Sequence, residues 1–173
     1  KYHGLYLKDL DHLMDKVKIF KTHFATLDIR QDHSKHKLVV EEILKKNGKI
    51  KEALDELTEK QLINLLLKED INALAGDFKE DIVKDTIKNI RQLKTIQNKN
   101  GEDGCNRYII SNSEDIFSVL FVFGLFRWCG WKTEEITFDI VPLFETMNGM
   151  ETSADTMQRL FDIKIYRDHL TRR

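Results

Sequence analysis

The sequence has few of the residues that interrupt a chain or cross-link it. Pro142 is the single proline among 173 residues, and scarcity of proline is typical of long helices with few irregular loops. There are two cysteines. Cys105 falls in a polar turn and Cys129 in an apolar segment, without metal-type spacing. We therefore predict two free thiols in a reducing compartment, which indicates a cytoplasmic protein.

Strong net charge and long apolar runs are also missing. With 28 Lys and Arg against 29 Asp and Glu, the formal net charge is −1, so the chain as a whole does not attract nucleic acid or an anionic membrane. The longest apolar stretch, residues 116–131, is interrupted by polar and glycine residues and is too short to span a bilayer. The sequence therefore predicts no nucleic-acid partner and no membrane partner, and any anion site has to be local.

The length and composition fit part of one globular domain. Hydrophobic residues make up 41% of the chain and charged residues 33%, and 173 residues suffice for a core. No signal peptide or transit peptide is visible at the start. Residues 166–173 contain no glycine or proline that would stop a helix. We expect residues 1–173 to be an internal fragment of a single domain.

Hydrophobic periodicity predicts helices that alternate with short strands. Ser34 and Thr58 are candidate helix caps, Thr58 in a capping box with Gln61. The predicted helices cover residues 5–20, 34–47, 58–67, 77–96, 114–129 and 152–161. The predicted strands cover residues 24–31, 107–111 and 136–145, and residues 98–106 are predicted to form a loop.

Apolar strands that alternate with helices, without two-residue hairpin turns, favour a parallel sheet. The predicted fold is therefore a helix-rich α/β fold with parallel strands and a helical insertion after the first strand–helix unit. In such folds functional groups lie where strands end and helices begin. That rule selects a guanidinium at Arg30, hydroxyl and amide groups at residues 111–113, and a carboxylate at Glu145. Arginine suits a phosphate, and glutamate suits a hard divalent ion.

The two charged candidates also have purely structural interpretations. Arg30 could form a salt bridge with a neighbouring aspartate, either Asp28 or Asp32, as in many surface ion pairs. Glu145 could simply cap the helix that follows it, because acidic residues are common at helix starts. The residue pattern alone leaves these alternatives open.

Histidines and aromatic residues offer weaker candidates. His33 and His36 lie three positions apart on a predicted helix, but no third ligand is nearby, so a zinc site is disfavoured. We interpret His36 as a residue that packs or supports the site. The aromatic residues in and beside the apolar stretch are predicted to form core rather than a stacking platform: Phe117, Phe121, Phe123, Phe126, Trp128 and Trp131.

Two segments are specific enough to indicate a family. Residues 27–32, followed by His36, resemble the LDIRQ(E/D)S…H segment of phosphoenolpyruvate carboxylases of the bacterial type, and residues 139–146 resemble the PLFET segment of that family. Residues 108–111 resemble the family's YVIS strand, which falls between the two. Residues 155–170 resemble the stretch after PLFET, so the similarity extends from about His23 to the end.

The resemblance implies an enzyme that joins bicarbonate to phosphoenolpyruvate, giving oxaloacetate and inorganic phosphate. Such a carbon–carbon lyase fixes carbon and replenishes oxaloacetate. The resemblance also implies a TIM-type (β/α) barrel, of which this chain is a part, in a cytoplasmic homotetramer that depends on Mg²⁺ or Mn²⁺. Arg30 matches the family's phosphate-contacting arginine and is the expected catalytic and substrate-binding residue. Glu145 matches the metal-binding glutamate and is the expected metal ligand.

Several segments of the family have no counterpart in this chain. The GYSDSxKD segment with a second metal carboxylate, the loop GRGGxxGRGG and the upstream catalytic histidine segment are missing, so the chain alone is expected to be inactive. Residues 147–150 replace the acidic pair that usually follows PLFET. Asn112 replaces a usual apolar residue and is assigned no role.

Two other functions stay open. Another phosphoenolpyruvate-handling barrel, such as a kinase or a mutase, would share the strand-end site but not the LDIRQ segment. A non-catalytic helical interaction domain would need neither Arg30 nor Glu145 and should bind no divalent ion. Since an incomplete barrel leaves sheet edges and apolar faces exposed, we also expect the isolated chain to self-associate.

Overall fold

A computed structural model describes residues 4–173, in which seven α-helices and three β-strands alternate. The helices are α1 (Leu7–Phe20), α2 (His33–Lys46), α3 (Glu59–Lys68), α4 (Asp81–Asn100), α5 (Ile116–Trp128), α6 (Met147–Asp162) and α7 (Lys164–Arg172). The strands are β1 (Asp28–Asp32), β2 (Arg107–Ser111) and β3 (Asp139–Pro142). The prediction of a helix-rich α/β fold is confirmed, with α3 and α4 as the helical insertion.

The three strands form one parallel sheet in the order β1-β2-β3. In the register Asp28 lies opposite Arg107 and Asp32 opposite Ser111, while Arg107 lies opposite Asp139. Both crossovers contain helices, as parallel neighbours require. The parallel sheet that the sequence predicts is therefore confirmed, and the carboxyl ends of all three strands lie at the same edge.

Helix α5 lies at the centre of the core. All but two of its 13 residues are buried, because α2, α3, α4, α6 and β3 all pack against it. A helix enclosed in this way is expected to be apolar on every side. The aromatic prediction is confirmed for Phe121, Phe123, Phe126, Trp128 and Trp131, which are buried. Phe117 is half-buried beside them.

Two strands are shorter than the sequence predicts. Strand β1 starts at Asp28 rather than residue 24, and β3 covers Asp139–Pro142 rather than residues 136–145. Both strands begin opposite Arg107, the first residue of β2, because a strand pairs only where its neighbour offers partners. Phe24 also has a left-handed backbone with φ of 66°, which ends any extended segment before β1.

Helix starts differ from prediction where a different side chain provides the cap. Ser34 is not the cap of α2: the Asp32 side chain accepts the Ser34 N–H, so the helix begins at His33. Thr146 caps α6 by accepting the Gly149 N–H, which starts this helix at Met147 rather than residue 152. The predicted capping box of Thr58 at the start of α3 is confirmed.

Two further helices depart from the predicted bounds. Helix α4 begins at Asp81, after a 3-10 turn at Ala75–Asp77, and continues to Asn100 inside the predicted loop. Helix α7, Lys164–Arg172, was not predicted. None of the helices in the described part of the chain combines the length and hydropathy needed to cross a membrane.

Helix α1 forms where the apolar periodicity predicts it, but it contributes no buried residue. Its apolar side chains are exposed, with Leu10 at 51% and Val17 at 62%. Its C-terminal end is held by the Thr22 hydroxyl, which donates to the Asn100 carbonyl at 3.0 Å. The described residues therefore leave an amphipathic helix with its apolar face uncovered.

Both cysteines are buried thiols without a disulfide, as predicted. Burial raises the pKa of the Cys129 thiol to about 12 and also raises the pKa of Cys105. Because the thiolate is the reactive form, neither cysteine is placed to act as a nucleophile.

Candidate functional site

The carboxyl edge of the sheet brings the three predicted site segments together. Asp32 ends β1 and Arg30 lies two residues before it, Asn112 follows β2, and Glu145 lies beyond β3. Two backbone bonds continue the pairing past the end of β3: the Leu143 N–H donates to the Ile110 carbonyl at 2.9 Å, and the Ser113 N–H donates to the Leu143 carbonyl at 3.1 Å. This pairing places Glu145 beside the residue that follows β2.

Arg30 and Glu145 contact each other directly. The Arg30 Nη2 lies 3.3 Å from the Glu145 Oε2, although the residues are 115 positions apart in the sequence. Their side chains are 57% and 36% exposed, so the pair contributes little to stability, about 0–1 kcal/mol. The structure thus brings together the two residues that sequence reasoning selected for different roles.

Among the described residues, Arg30 forms no salt bridge with Asp28 or Asp32, the structural alternative that the sequence left open. Asp28 lies 3.7 Å from the Arg107 guanidinium on the adjacent strand. The Asp32 Oδ1 accepts the N–H and the hydroxyl of Ser34 at 2.8 and 2.5 Å. The Arg30 guanidinium therefore pairs with the Glu145 carboxylate, and more than half of the Arg30 side chain stays exposed to solvent.

Asn112 connects two carboxylates at this edge. Its N–H donates to the Glu145 Oε1 at 3.1 Å, and its side-chain amide donates to the Asp32 Oδ2 at 2.6 Å. Its backbone is left-handed, with φ of 54°. Sequence reasoning assigned Asn112 no role. The available signal was an asparagine directly after a strand, since asparagine tolerates this conformation better than most residues.

The Asp32 carboxylate is held in its ionised form. Hydrogen bonds from the Ser34 hydroxyl and then from the Asn112 amide lower the pKa of this carboxyl below its ordinary value. A negative charge here also complements the N-terminus of α2. Both Asp32 oxygens accept hydrogen bonds, so we interpret Asp32 as part of the framework of the site rather than as a ligand.

His36 and His33 contact different aromatic residues and not a common site. His36 is fully buried, and its Nε2 lies 3.0 Å from the hydroxyl of Tyr108 on β2. Burial lowers the pKa of His36 to about 3, so the ring is neutral. His33 stacks on Phe121 with ring centroids 5.7 Å apart. The interpretation of His36 as a packing residue is confirmed.

A cavity of about 290 Å³ lies near the starts of α2 and α5. His33, Lys37, Asp55, Glu59 and Asp115 contribute its polar lining. Two of these side chains pair with each other, because Lys37 Nζ donates to Asp55 Oδ1 at 2.6 Å. Neither Arg30 nor Glu145 lines this cavity, so it is separate from the strand-end site.

The residues present fit a divalent ion in part. Each Glu145 oxygen accepts one hydrogen bond, and a carboxylate oxygen has two lone pairs, so each retains acceptor capacity. Magnesium and manganese need about six ligands, mostly oxygens. Within residues 4–173 no group of three or more His, Cys, Asp or Glu side chains is placed to hold an ion. Glu145 can therefore supply one ligand, and the others have to come from outside this cluster.

A parallel sheet with a guanidinium and a carboxylate at its carboxyl edge defines an α/β protein of the class whose ligand sites lie at strand ends. Comparison with known proteins is more specific. The sequence profile of the phosphoenolpyruvate carboxylase family matches residues 2–173. The chain belongs to that family.

Relatives in this family are similar along nearly the whole chain. The phosphoenolpyruvate carboxylase of Gloeobacter violaceus is 29% identical over 176 residues, covering 97% of this chain and 19% of that protein. Its counterpart in Trichormus variabilis is 30% identical over 171 residues, covering 95% and 17%. That of Synechocystis sp. is 29% identical over 172 residues, covering 95% and 16%. The chain thus spans less than a fifth of the length of these curated relatives.

Proposed function

We propose that this chain is part of a phosphoenolpyruvate carboxylase, which converts phosphoenolpyruvate and bicarbonate to oxaloacetate and phosphate. Membership of the family supports this proposal. The observation that carries it is the contact between Arg30 and Glu145 at 3.3 Å, because both resemble the family's functional residues and both reach the carboxyl side of the sheet. Membership also favours the carboxylase over a kinase or mutase that handles phosphoenolpyruvate.

The proposed chemistry begins with attack of a bicarbonate oxygen on the phosphoryl group. The bond from phosphorus to the enol oxygen breaks, leaving carboxyphosphate and the enolate of pyruvate. Carboxyphosphate then releases CO₂ and phosphate, and the enolate carbon bonds to CO₂ to give oxaloacetate. Arg30 binds the phosphoryl oxygens through its planar fork of N–H donors and stabilises the charge that spreads over them during transfer.

Glu145 acts as one ligand of Mg²⁺ or Mn²⁺ in this proposal. When bound, such an ion supplies Lewis-acid stabilisation of the enolate oxygen. The Asn112 N–H and the Arg30 guanidinium hold the two Glu145 oxygens from two sides. The carboxylate is therefore already oriented before the ion binds, so less side-chain ordering is needed when it does.

The remaining parts of the proposal concern the larger protein. We propose that the sheet continues into a TIM-type barrel, in a cytoplasmic homotetramer. Supporting this, β1 and β3 each pair on one side only among the described strands, so both edges can accept a further strand. The chain alone lacks the family's GYSDSxKD and GRGGxxGRGG segments, and we propose that it has no turnover by itself.

The test uses the full-length protein that contains this sequence, with oxaloacetate formation coupled to malate dehydrogenase. Bicarbonate-dependent turnover should fall by at least about 100-fold in Arg30→Ala, the size seen when one charge-stabilising donor is removed. It should also collapse in Glu145→Ala, which removes the proposed metal ligand. Arg107→Ala is the matched control, because Arg107 pairs with Asp28 at the opposite end of the same sheet. Turnover that survives both site substitutions would refute the assigned roles.

The uncovered apolar face of α1 favours one other function, a non-catalytic interaction domain. Such a domain would keep its partner-binding surface and need no strand-end chemistry. Binding of Mn²⁺ to the full-length protein separates the two proposals. A site at Glu145 predicts affinity that is lost in Glu145→Gln, whereas an interaction domain predicts the same weak background in both proteins.

A further inference from the structure

We infer that Asn112 is a positioning residue that fixes the Glu145 carboxylate for its cation. The inference rests on the proposed function, in which Glu145 is a metal ligand, and extends it to a residue that departs from the family pattern. Asn112 itself touches no reacting atom in this proposal. It acts by holding Glu145 in one orientation.

The first support is the way in which the carboxylate is held. One Glu145 oxygen accepts the Asn112 N–H at 3.1 Å, and the other lies 3.3 Å from Arg30 Nη2. The donors come from Asn112, directly after β2, and from Arg30, on the adjacent strand β1. A carboxylate bonded from two directions keeps its plane fixed, whereas a single bond would let it rotate.

The second support is the backbone conformation that aims the N–H. With φ of 54°, Asn112 occupies the left-handed region that most residues avoid. Its side-chain amide donates to the Asp32 Oδ2 at 2.6 Å, and Asp32 is itself fixed as the cap of α2. The side chain thus secures the turn, and the turn directs the backbone N–H at Glu145.

The third support is the position of Asn112 outside the core. Asn112 is exposed, as are Arg30 and Glu145, so no core packing depends on the two hydrogen bonds. Substitution at this position should therefore change the orientation of Glu145 more than the stability of the fold. Substitution of a residue that only supports the fold would lower its stability more than it changes the orientation of Glu145.

The first experiment detects the hydrogen bond in the full-length protein that contains this sequence, ¹⁵N-labelled selectively at asparagine. An amide proton that donates to a carboxylate is shifted downfield, so the Asn112 amide should move upfield in Glu145→Ala. Glu151→Ala is the control, because Glu151 is also exposed, on α6, and should leave the Asn112 amide unchanged. An Asn112 amide that does not respond to Glu145→Ala would overturn the inference.

The second experiment measures Mn²⁺ affinity of the full-length protein that contains this sequence, from the free-ion signal in electron paramagnetic resonance. Asn112→Gly keeps access to positive φ and keeps the N–H but loses the side-chain amide that bonds Asp32, so its affinity should lie between those of the wild type and Asn112→Val. Asn112→Val cannot hold this conformation easily, and its affinity should fall by about 10–100-fold, as for other residues that orient a metal ligand. Folding of each variant is checked from its amide spectrum.

The outcomes separate the inference from the proposed function. A folded Asn112→Val chain that binds Mn²⁺ as tightly as the wild type would overturn the positioning role. Equal Mn²⁺ binding by the wild type and Glu145→Gln would refute the metal role of Glu145. In that case the amide shift still decides whether Asn112 fixes the carboxylate.

Discussion

Gly149 is the position where a single methyl group should disturb both the fold and the site. It lies in the first turn of α6, directly against the loop that follows β2. A Cβ at this position would lie 2.5 Å from the Ser113 carbonyl oxygen and 2.9 Å from the Thr146 Oγ1. The first of these neighbours is backbone and cannot rotate away, so Gly149→Ala has to push α6 from the sheet edge.

The expected cost follows from two opposing terms. Overpacking costs about 1–3 kcal/mol, and the rigid carbonyl places this site in the upper half of that range. Alanine is favoured over glycine in a helix by up to about 1 kcal/mol. The net loss of unfolding free energy is therefore about 1–2 kcal/mol, which lowers the melting temperature of a chain of this size by about 2–8 °C.

Thermal and urea unfolding followed by circular dichroism measure this loss. Gly76→Ala is the matched control, because a Cβ there meets nothing within 4 Å; it should be neutral or slightly stabilising. Since Thr146 caps α6 and Glu145 precedes it, Gly149→Ala should also weaken any Mn²⁺ site at Glu145. Gly149→Ala as stable as Gly76→Ala would refute the close approach of α6 to the Ser113 carbonyl.

Three further perturbations test other parts of the structure. Burial lowers the His36 pKa from 6.5 to about 3. As the pH falls, the imidazole of the unfolded chain is therefore protonated before that of the folded chain. The stability from neutral His36 is complete above about pH 6.5 and is lost as the pH falls. The unfolding free energy should drop by about 3 kcal/mol between pH 6.5 and 4, and a flat urea midpoint over that range would contradict the burial of His36. Leu10→Asp combined with Val17→Asp should abolish concentration-dependent self-association in light scattering if the exposed face of α1 causes it. Thr58→Ala removes the capping box of α3 and should cost about 1 kcal/mol in urea unfolding, whereas an unchanged midpoint would show that the cap is dispensable.

The elements that sequence reasoning located best are those whose pattern reflects burial. Strand β2 has the predicted bounds, because buried Tyr108 and Ile110 alternate with less buried neighbours. Helix α1 was located equally well, yet none of its residues is buried. Periodicity shows which face of a helix is apolar, but not whether the chain contains anything that covers it.

The sequence predicted which residue types lie near the carboxyl ends of the strands, but not how they contact one another. Arg30 and Glu145 could be selected because a parallel sheet collects such groups at one edge. Their contact could not be predicted, because it joins positions 115 residues apart and depends on how far the pairing continues past β3. Asn112 was missed for the same reason, since its two bonds reach residues 80 and 33 positions away.

The contact between Arg30 and Glu145 also determines how their substitutions have to be interpreted. Because the side chains touch at 3.3 Å, removing Arg30 leaves one Glu145 oxygen without its donor, and removing Glu145 leaves the guanidinium without its partner. Effects of touching residues are commonly non-additive. Each single substitution therefore also disturbs the other residue, and the double variant is needed to separate the two roles. If phosphate binding by Arg30 and metal binding by Glu145 act as one unit, the double variant should be little worse than either single one. Strictly additive losses would show that the pair is a resting contact between two independent groups.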